Sequence, residues 1–125
     1  MRITVLAAAA LLAASPLAAF ASDHQDADLA MTQAGTAIEG AERADAAQYA
    51  SADLGNAHSM LASAQADYDH HHWTDAIIGA ENAKADADLA AARSRELRAE
   101  QATAEVERSV RSLRDQLGIS TGDQP

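Results

Sequence analysis

No cysteine occurs among the 125 residues of this chain, so no disulfide can compensate for a small core. Aromatic residues are nearly as scarce, because Tyr49, Tyr68 and Trp73 are the only ones beyond residue 21. Neither proline nor glycine interrupts the stretch between Ala80 and Leu117. Alanine is abundant instead, and it is the best helix former although it buries little area. Stability must therefore come from the packing of helices.

The first 21 residues have the pattern of a secretory signal peptide. Arg2 supplies a positive charge, residues 3–14 form an apolar run, and residues 19–21 form a small-x-small cleavage site. The apolar run is too short to span a membrane. We expect cleavage after Ala21 and an exported mature chain that begins at Ser22, with no transmembrane segment. No cysteine follows the cleavage site, so we do not expect a lipoprotein.

The charge of the chain is acidic and unevenly distributed. Residues 22–89 hold 13 acidic side chains against Arg43 and Lys84, whereas residues 90–117 hold six arginines and five acids. Nucleic-acid binding requires a net basic surface, so the composition argues against it. The acidic part instead fits a cation or a basic partner, and the arginine-containing part fits a protein contact.

The spacing of small and apolar residues predicts three helices, over about residues 28–47, 53–69 and 75–117. In each helix these residues recur at alternating steps of three and four, which places them on one face. The three stripes are Met31, Ala34, Ile38 and Ala41; Leu54, Ala57, Leu61, Ala64 and Tyr68; and Ile77, Ala80, Lys84, Ala87 and Ala91, of which Lys84 is the one polar member of its stripe and can lay its methylenes along it. We predict an all-α domain over residues 22–118, a three-helix antiparallel hairpin or bundle with a long C-terminal helix, and a disordered tail at 119–125.

Two glycine-containing segments repeat one another. Residues 37–44 and 76–83 share Ala-Ile-x-Gly-Ala-Glu-x-Ala, which predicts equivalent roles for the first and third helices; the alternative is coincidence in an alanine-rich chain. Glycine inside a helix costs up to about 1 kcal/mol relative to alanine. We therefore expect another backbone to lie close to Gly35 and Gly40. Ser51 is the expected N-cap of the second helix.

The third predicted helix carries a continuous coiled-coil spacing on one face. Its positions are Ala85, Leu89, Ala92, Glu96, Ala99, Thr103, Val106, Val110, Leu113 and Leu117. At 1.5 Å per residue this helix would be about 64 Å long and the second about 25 Å, so it should extend past its partners. An apolar seam beyond those partners requires another copy of the chain or another protein. The alternatives are that the tail folds back or that the first helix covers it.

We assign the partner contact to the apolar members of this face, which we call the seam. The seam consists of Leu89, Ala92, Ala99, Val106, Val110, Leu113 and Leu117. Its most apolar part is the last one, from Val106 to Leu117. Glu107 and Arg111 form an i,i+4 pair of favourable orientation on its flank.

One metal-binding pattern would arise at the mature N-terminus. After cleavage at Ala21 the chain begins Ser22-Asp23-His24, a free amine with histidine in the third position. The amine, two deprotonated backbone amides and the imidazole can surround Cu(II) or Ni(II) in a square plane, a geometry that these ions favour. The alternative is that a histidine occupies the third position by chance.

Three adjacent histidines lie in the predicted turn between the second and third helices. Consecutive side chains on a helix are about 100° apart and cannot converge, but in an extended turn His70 and His72 lie on the same side. Asp69 or Asp75 would then add an oxygen ligand for Zn(II), Cu(II) or Ni(II). We favour the alternative, a solvated turn with Trp73 folded back onto the hairpin.

The sequence contains no motif typical of an enzyme. It has no Gly-x-Ser-x-Gly, no His-Glu-x-x-His and no glycine-rich phosphate loop. Its many acidic residues occur on alanine-rich helices, where we expect a solvated face rather than a pocket that raises a carboxyl pKa. We predict a protein without enzymatic activity that requires no cofactor, with Cu, Ni or Zn as the only candidate ligands.

Small-residue motifs in the three predicted helices resemble those of a known bacterial family. The motifs are Tyr49-Ala50-x-x-x-Leu54, Leu61-x-x-Ala64, Trp73-x-x-Ala76-x-x-x-Ala80 and Ala83-x-Ala85-Asp86-Ala87-x-Leu89-Ala90. Over about residues 30–94 the chain resembles domain-of-unknown-function family 4398, small exported alanine-rich helical proteins of Gram-negative envelopes. The resemblance implies a periplasmic hairpin or three-helix domain with no assigned catalytic residue. The chain departs from the family pattern at residues 70–72, where histidines replace a short glycine-containing link.

The sequence supports two principal functional hypotheses. The first is a non-enzymatic periplasmic protein of the cell envelope that acts through protein contacts, binding a protein partner or a second copy along the seam. The second is a periplasmic binder of divalent Cu, Ni or Zn through residues 22–24 and 70–72. A third class, a chaperone or lipid-associated bundle, needs an exposed apolar face, which the sequence offers only near residues 106–117.

Overall fold

The structure is a computed structural model that describes the backbone of residues 17–118 and the side chains of residues 23–118. The helices are α1 (Leu17–Arg43), α2 (Ala46–Tyr49), α3 (Ser51–Asp69) and α4 (Trp73–Gln116). The chain runs up through α1, down through α3 and up again through α4, so α3 is antiparallel to both of its long neighbours. The predicted all-α three-helix fold with a long C-terminal helix is confirmed. Most of the predicted signal peptide, residues 1–16, and the predicted disordered tail, residues 119–125, lie outside the described residues.

The first helix differs most from its predicted range of 28–47. It starts at Leu17, earlier than predicted. It ends at Arg43, because Asp45 adopts a left-handed conformation with φ of 63° that turns the chain. Residues 46–49 then form the single turn of α2. This leaves only Ala50 to redirect the chain, so Ala50 occupies the N-cap of α3 and the predicted cap at Ser51 is wrong.

Alanine forms almost the whole core. Among the described residues, every buried apolar side chain is an alanine except Ile38 and Leu54. Every residue of the three predicted stripes is buried or partly buried, as the helical spacing predicts. Each alanine removes little apolar area from water, so the core depends on close helix contact along the whole bundle.

Gly79 of α4 lies close to Ala64 of α3. A Cβ built on Gly79 would lie 3.0 Å from the Cβ of Ala64, whereas nothing lies within 4 Å of a Cβ at Gly35 or Gly40. The prediction of a close backbone at those two α1 glycines is therefore wrong; Gly40 instead borders an open groove together with Arg95 and Arg98 of α4. The two copies of the repeat still share buried alanines at corresponding places, which are Ala41 and Ala80, and Ala44 and Ala83.

The long helix α4 extends beyond the bundle. It has 44 residues, so at 1.5 Å per residue it is about 66 Å long. Within the described residues, the tertiary hydrogen bond furthest along α4 is donated by Tyr49 Oη to Gln101 Oε1 at 3.0 Å. Every residue from 95 to 118 is exposed. The last turns of α4 thus project into solvent without folding back on the bundle, and the described part of α1 does not cover them.

Candidate functional site

The seam on α4 is the larger of two candidate sites. Its last four residues, Val106, Val110, Leu113 and Leu117, have exposed fractions of 62, 40, 56 and 70%. Leu89 is 41% exposed, and Ala92 and Ala99 are exposed as well. All seven predicted seam residues therefore face solvent in the single chain.

The seam lies on the opposite face of α4 from the core. The helix buries residues such as Ala87, Ala90 and Ser94 against α1 and α3. At 100° per residue Val110 is rotated about 160° from Ser94, so its side chain points away from the bundle. The seam is therefore a second surface of the same helix and not a continuation of the core stripe.

Charged side chains border the apolar seam near the end of α4. Val106 and Val110 line a shallow groove together with Glu107, Arg111 and Arg114. An apolar strip with charged flanks is the surface that a helix offers to another helix. The geometry therefore suits binding of a helical polypeptide.

The second candidate site is a cluster of aromatic and histidine rings where α1, α3 and α4 meet at one end of the bundle. The rings of His24 and Trp73 are 4.8 Å apart between centroids, and those of Tyr68 and Trp73 are 5.1 Å apart. Both pairs have the edge-to-face arrangement that aromatic rings prefer. Trp73 folds onto the hairpin as expected, and it contacts both His24 of α1 and His71 of the turn before α4.

A hydrogen-bond chain runs through this cluster. The hydroxyl of Tyr68 donates to a carboxylate oxygen of Asp28 and lies 2.9 Å from His24 Nε2. With the phenol proton directed at Asp28, the imidazole is the donor to the phenol oxygen. The hydrogen bond to Asp28 raises the pKa of Tyr68 above its ordinary value of 10.0, and desolvation and the negative charges of Asp28 and Asp69 raise it further.

The histidine turn is a Schellman ending of α3. The His72 N–H donates to the Asp67 carbonyl at 2.8 Å, and the His71 N–H donates to the Tyr68 carbonyl at 3.0 Å. His71 has φ of 62°, in the left-handed region where this motif usually places glycine. Its ring packs 5.1 Å from that of Trp73. The turn is thus a helix terminus rather than an extended segment.

The predicted metal ligands of the turn do not converge. The rings of His70 and His72 are 6.1 Å apart between centroids, and His72 Nδ1 lies 3.9 Å from an oxygen of Asp67. Asp69 accepts a hydrogen bond from Gln65 at 2.9 Å. Over residues 23–118, no three histidine or carboxylate side chains are grouped so that they could hold a metal ion.

The predicted N-terminal ligands lie within α1. Asp23 is exposed, His24 is partly buried against Tyr68 and Trp73, and the side chain of Ser22 lies outside the described residues. The square-planar site requires a free amine at Ser22, so it can form only after cleavage. His24 would then have to leave its contacts in the cluster.

Sequence reasoning did not find the partners of His24. Asp28 lies one helical turn after His24, and their side chains are 3.5 Å apart, but Tyr68 is 44 residues away. Spacing along the chain carries no signal for such a pairing. The only available signal was the pair of aromatic residues, Tyr68 and Trp73, on either side of the turn.

Comparison with known proteins identifies the domain but no described function. A comparison with curated proteins and with solved structures gives no match. The model of a family described as "Domain of unknown function (DUF4398)" matches residues 29–106, from α1 through the bundle to the first of the four most apolar seam residues. This match covers more than half of the 125-residue chain and confirms the resemblance seen in the sequence. The chain therefore belongs to the DUF4398 family.

Proposed function

We propose that this chain is a non-enzymatic protein of the periplasm that acts by binding a polypeptide along the seam of α4. The observation that carries the proposal is the exposure of four large apolar side chains in one row, from Val106 to Leu117. Single exposed apolar residues are common on protein surfaces, but a continuous row is typical of an interaction site.

The periplasmic location rests on the sequence of residues 1–21, which has the three parts of a cleavable signal peptide. No described helix is both long and apolar enough to cross a membrane. The absence of enzymatic activity rests on the lack of a catalytic motif in the sequence. Binding is the activity that the described surface supports best.

The projecting segment also has a physical need for a partner. Residues 102–116 continue α4 past the hydrogen bond of Tyr49 with Gln101. The segment extends an existing helix and so pays no nucleation cost, but most helical stability in proteins comes from tertiary packing, which this segment lacks in the single chain because its residues are exposed. A helical partner would bury the seam and stabilise the segment at the same time.

The test is a seam variant in which Val106, Val110, Leu113 and Leu117 are all changed to Gln. We expect it to keep the helical content of the bundle and to lose self-association or the capture of a cross-linked envelope protein. A variant with Ala104→Gln and Ser112→Gln is the matched control, because these positions lie on the same segment but on the side of the helix away from the seam. Association of the seam variant at the native level would refute the proposal.

A truncated chain provides a second test, and the structure determines where it should end. A stop after Ala92 would remove the buried Ser94 and the ion pair of Arg98 with Asp45 at 3.1 Å. A stop after Gln101 keeps these contacts and removes only the projecting segment. We expect the chain that ends at Gln101 to fold as the native bundle does and to lose association.

Binding of divalent Cu, Ni or Zn is the second candidate function. His70 and His72 lie on one turn, and His24 lies on the same end of the bundle through its contact with Trp73. The described side chains form no three-ligand group, so this function depends on the amine that cleavage would create at Ser22. Titration of the cleaved protein with each metal, described below, separates this function from the first.

A further inference from the structure

We propose that the seam binds a second copy of this chain in an antiparallel arrangement, through residues 105–118 of both α4 helices. The inference rests on the proposed function, because it names the partner of the same seam. It follows from the order of the apolar and charged side chains on the projecting segment. Three properties of this segment support it.

The first property is the apolar pattern. Val106 and Leu113 occupy the d positions of the heptad, and Val110 and Leu117 occupy the a positions. In an antiparallel pair each a position faces a d position of the second helix. Two-fold symmetry makes every such contact occur twice. Val110 then faces Leu113 of the second copy, and Val106 faces Leu117. All four layers contain two large apolar side chains, which are 40–70% exposed in the single chain.

The second property is the charge pattern beside these layers. In the same register Glu107 of each copy lies opposite Arg114 of the other, which gives two attractive pairs. On the other side of the apolar layers, Ser109 of each copy faces Gln116 of the second copy, and neither residue carries a charge. Opposite charges at such flanking positions determine the orientation and partner choice of paired helices. The segment is therefore complementary to itself when reversed.

Other antiparallel registers are less favourable. A shift by one heptad toward the bundle pairs Leu117 with Ala99 and Leu113 with Thr103, and it places Glu107 against Glu107 of the second copy, although it also gives two Glu100–Arg114 pairs. A shift by two heptads places Glu100 against Glu107 twice. Like charges at facing positions oppose association, so the apolar match and the charge match select the same register.

The third property is the uneven charge of the whole chain. Within the projecting segment, a parallel pair would place Glu107 beside Ala102 and Arg114 beside Ser109, with no attractive pair. It would also bring two acidic bundles side by side, since residues 22–89 hold 13 acids against two bases. The antiparallel pair holds the bundles at opposite ends of the joined helices. Repulsion between the bundles is then weakened by distance and by salt.

Cross-linking measures the orientation directly, because the native chain has no cysteine. Val106→Cys and Leu117→Cys variants of the full chain, carrying different tags, are treated with a short bismaleimide alone and as a mixture. We expect the mixture to give the cross-linked pair of Val106→Cys with Leu117→Cys, and each variant alone to give little. Predominant cross-linking of either variant to itself would overturn the antiparallel arrangement.

Charge reversal measures the register. Sedimentation of Glu107→Arg alone or Arg114→Glu alone should show self-association roughly tenfold weaker than that of the native chain, because two attractive pairs become repulsive. The mixture of the two variants restores both attractive pairs and should associate as the native chain does. Glu105→Arg is the matched control, since it makes the same charge change away from the seam. Equal weakening by Glu105→Arg, or a mixture that stays weak, would overturn the register.

The outcomes separate this inference from the proposed function. If the four-Gln seam variant loses a cross-linked envelope protein while the native chain sediments as a monomer at millimolar concentration, the second copy is the wrong partner and the proposed function stands. If the seam variant behaves as the native chain in both assays, both proposals fail. Hydrogen exchange gives an independent check: amides 105–117 should be protected at high protein concentration and should exchange faster on dilution.

Discussion

Gly79 of α4 lies directly against Ala64 of α3, and a Cβ built on Gly79 would be 3.0 Å from the Cβ and 3.4 Å from the Cα of Ala64. A side chain at position 79 with contacts this short would force the two helices to move apart slightly. Gly79 therefore permits the close pairing of α3 and α4 on which an alanine core depends. This contact also distinguishes Gly79 from Gly40, its counterpart in the sequence repeat, which has open space around it.

We predict that Gly79→Ala lowers the free energy of unfolding by about 1 kcal/mol. Overpacking typically costs about 1–3 kcal/mol, and the better helix propensity of alanine returns up to about 1 kcal/mol. Urea denaturation measures the difference. Gly55→Ala on α3 is the control, because a Cβ there meets nothing within 4 Å and should stabilise the chain. Equal stability of the two variants would show that the close contact is absent.

The stability of the native chain should fall at alkaline pH because of Tyr68. Its pKa is raised in the folded state by the hydrogen bond to Asp28, so the unfolded state loses the phenol proton first. The stabilisation is complete below pH 10 and is lost as the pH rises from about 10 through the folded-state pKa. Thermal unfolding of the native chain and of Tyr68→Phe from pH 7 to 11 measures this difference.

The difference in stability between the native chain and Tyr68→Phe should be constant up to about pH 9 and should shrink above pH 10. Asp28→Asn keeps the phenol but removes the carboxylate that holds its proton. This variant should therefore lose most of the alkaline dependence that Tyr68 contributes. If the stability of the native chain changes with pH in the same way as that of Tyr68→Phe up to pH 11, the hydrogen bond does not persist in solution.

We predict that His71→Gly stabilises the chain by about 0.5 kcal/mol. A left-handed conformation costs an ordinary residue about 1–2 kcal/mol, and glycine avoids this cost but gains more freedom in the unfolded state. The lost ring contact with Trp73 reduces the gain further. His70→Gly should instead destabilise the chain, since His70 has φ of −90°. Thermal unfolding of both variants tests the assignment of the turn as a Schellman motif.

Metal titration of the exported, naturally cleaved chain by native mass spectrometry tests the second candidate function. If cleavage follows Ala21, we expect one Cu(II) or Ni(II) per chain, bound at residues 22–24 and lost in His24→Ala. The turn should bind only weakly, because its side chains form no three-ligand group. Changing His70, His71 and His72 together to Ala should leave the stoichiometry unchanged.

A different result would redirect the functional assignment. Loss of stoichiometric binding in the triple variant would mean that the turn rearranges around a metal, and metal handling would become the first hypothesis. Binding that His24→Ala leaves intact would exclude the N-terminal site. The same spectra report the mass of the mature chain, and therefore test cleavage after Ala21.

The sequence alone determined the features that depend on neighbouring residues. Helix periodicity is a local property, so the spacing of alanines predicted the three core stripes, and the spacing from Leu89 to Leu117 predicted the seam. The long stretch without proline or glycine before Gly118 predicted that the last helix would extend past its partners. The absence of cysteine and the scarcity of aromatic residues indicated a core held together by close helix contact.

Only the tertiary structure decided how the helices align with one another. The contact of Gly79 with Ala64 and the hydrogen bond of His24 with Tyr68 join residues on different helices, and their formation depends on helix register and rotation. The left-handed Asp45 ended the first helix earlier than its spacing predicted, and α2, which follows it, packs against α4. The seam followed from spacing, but its direction away from the core is a property of the assembled bundle. Local periodicity defines a face of a helix, and packing decides what that face meets.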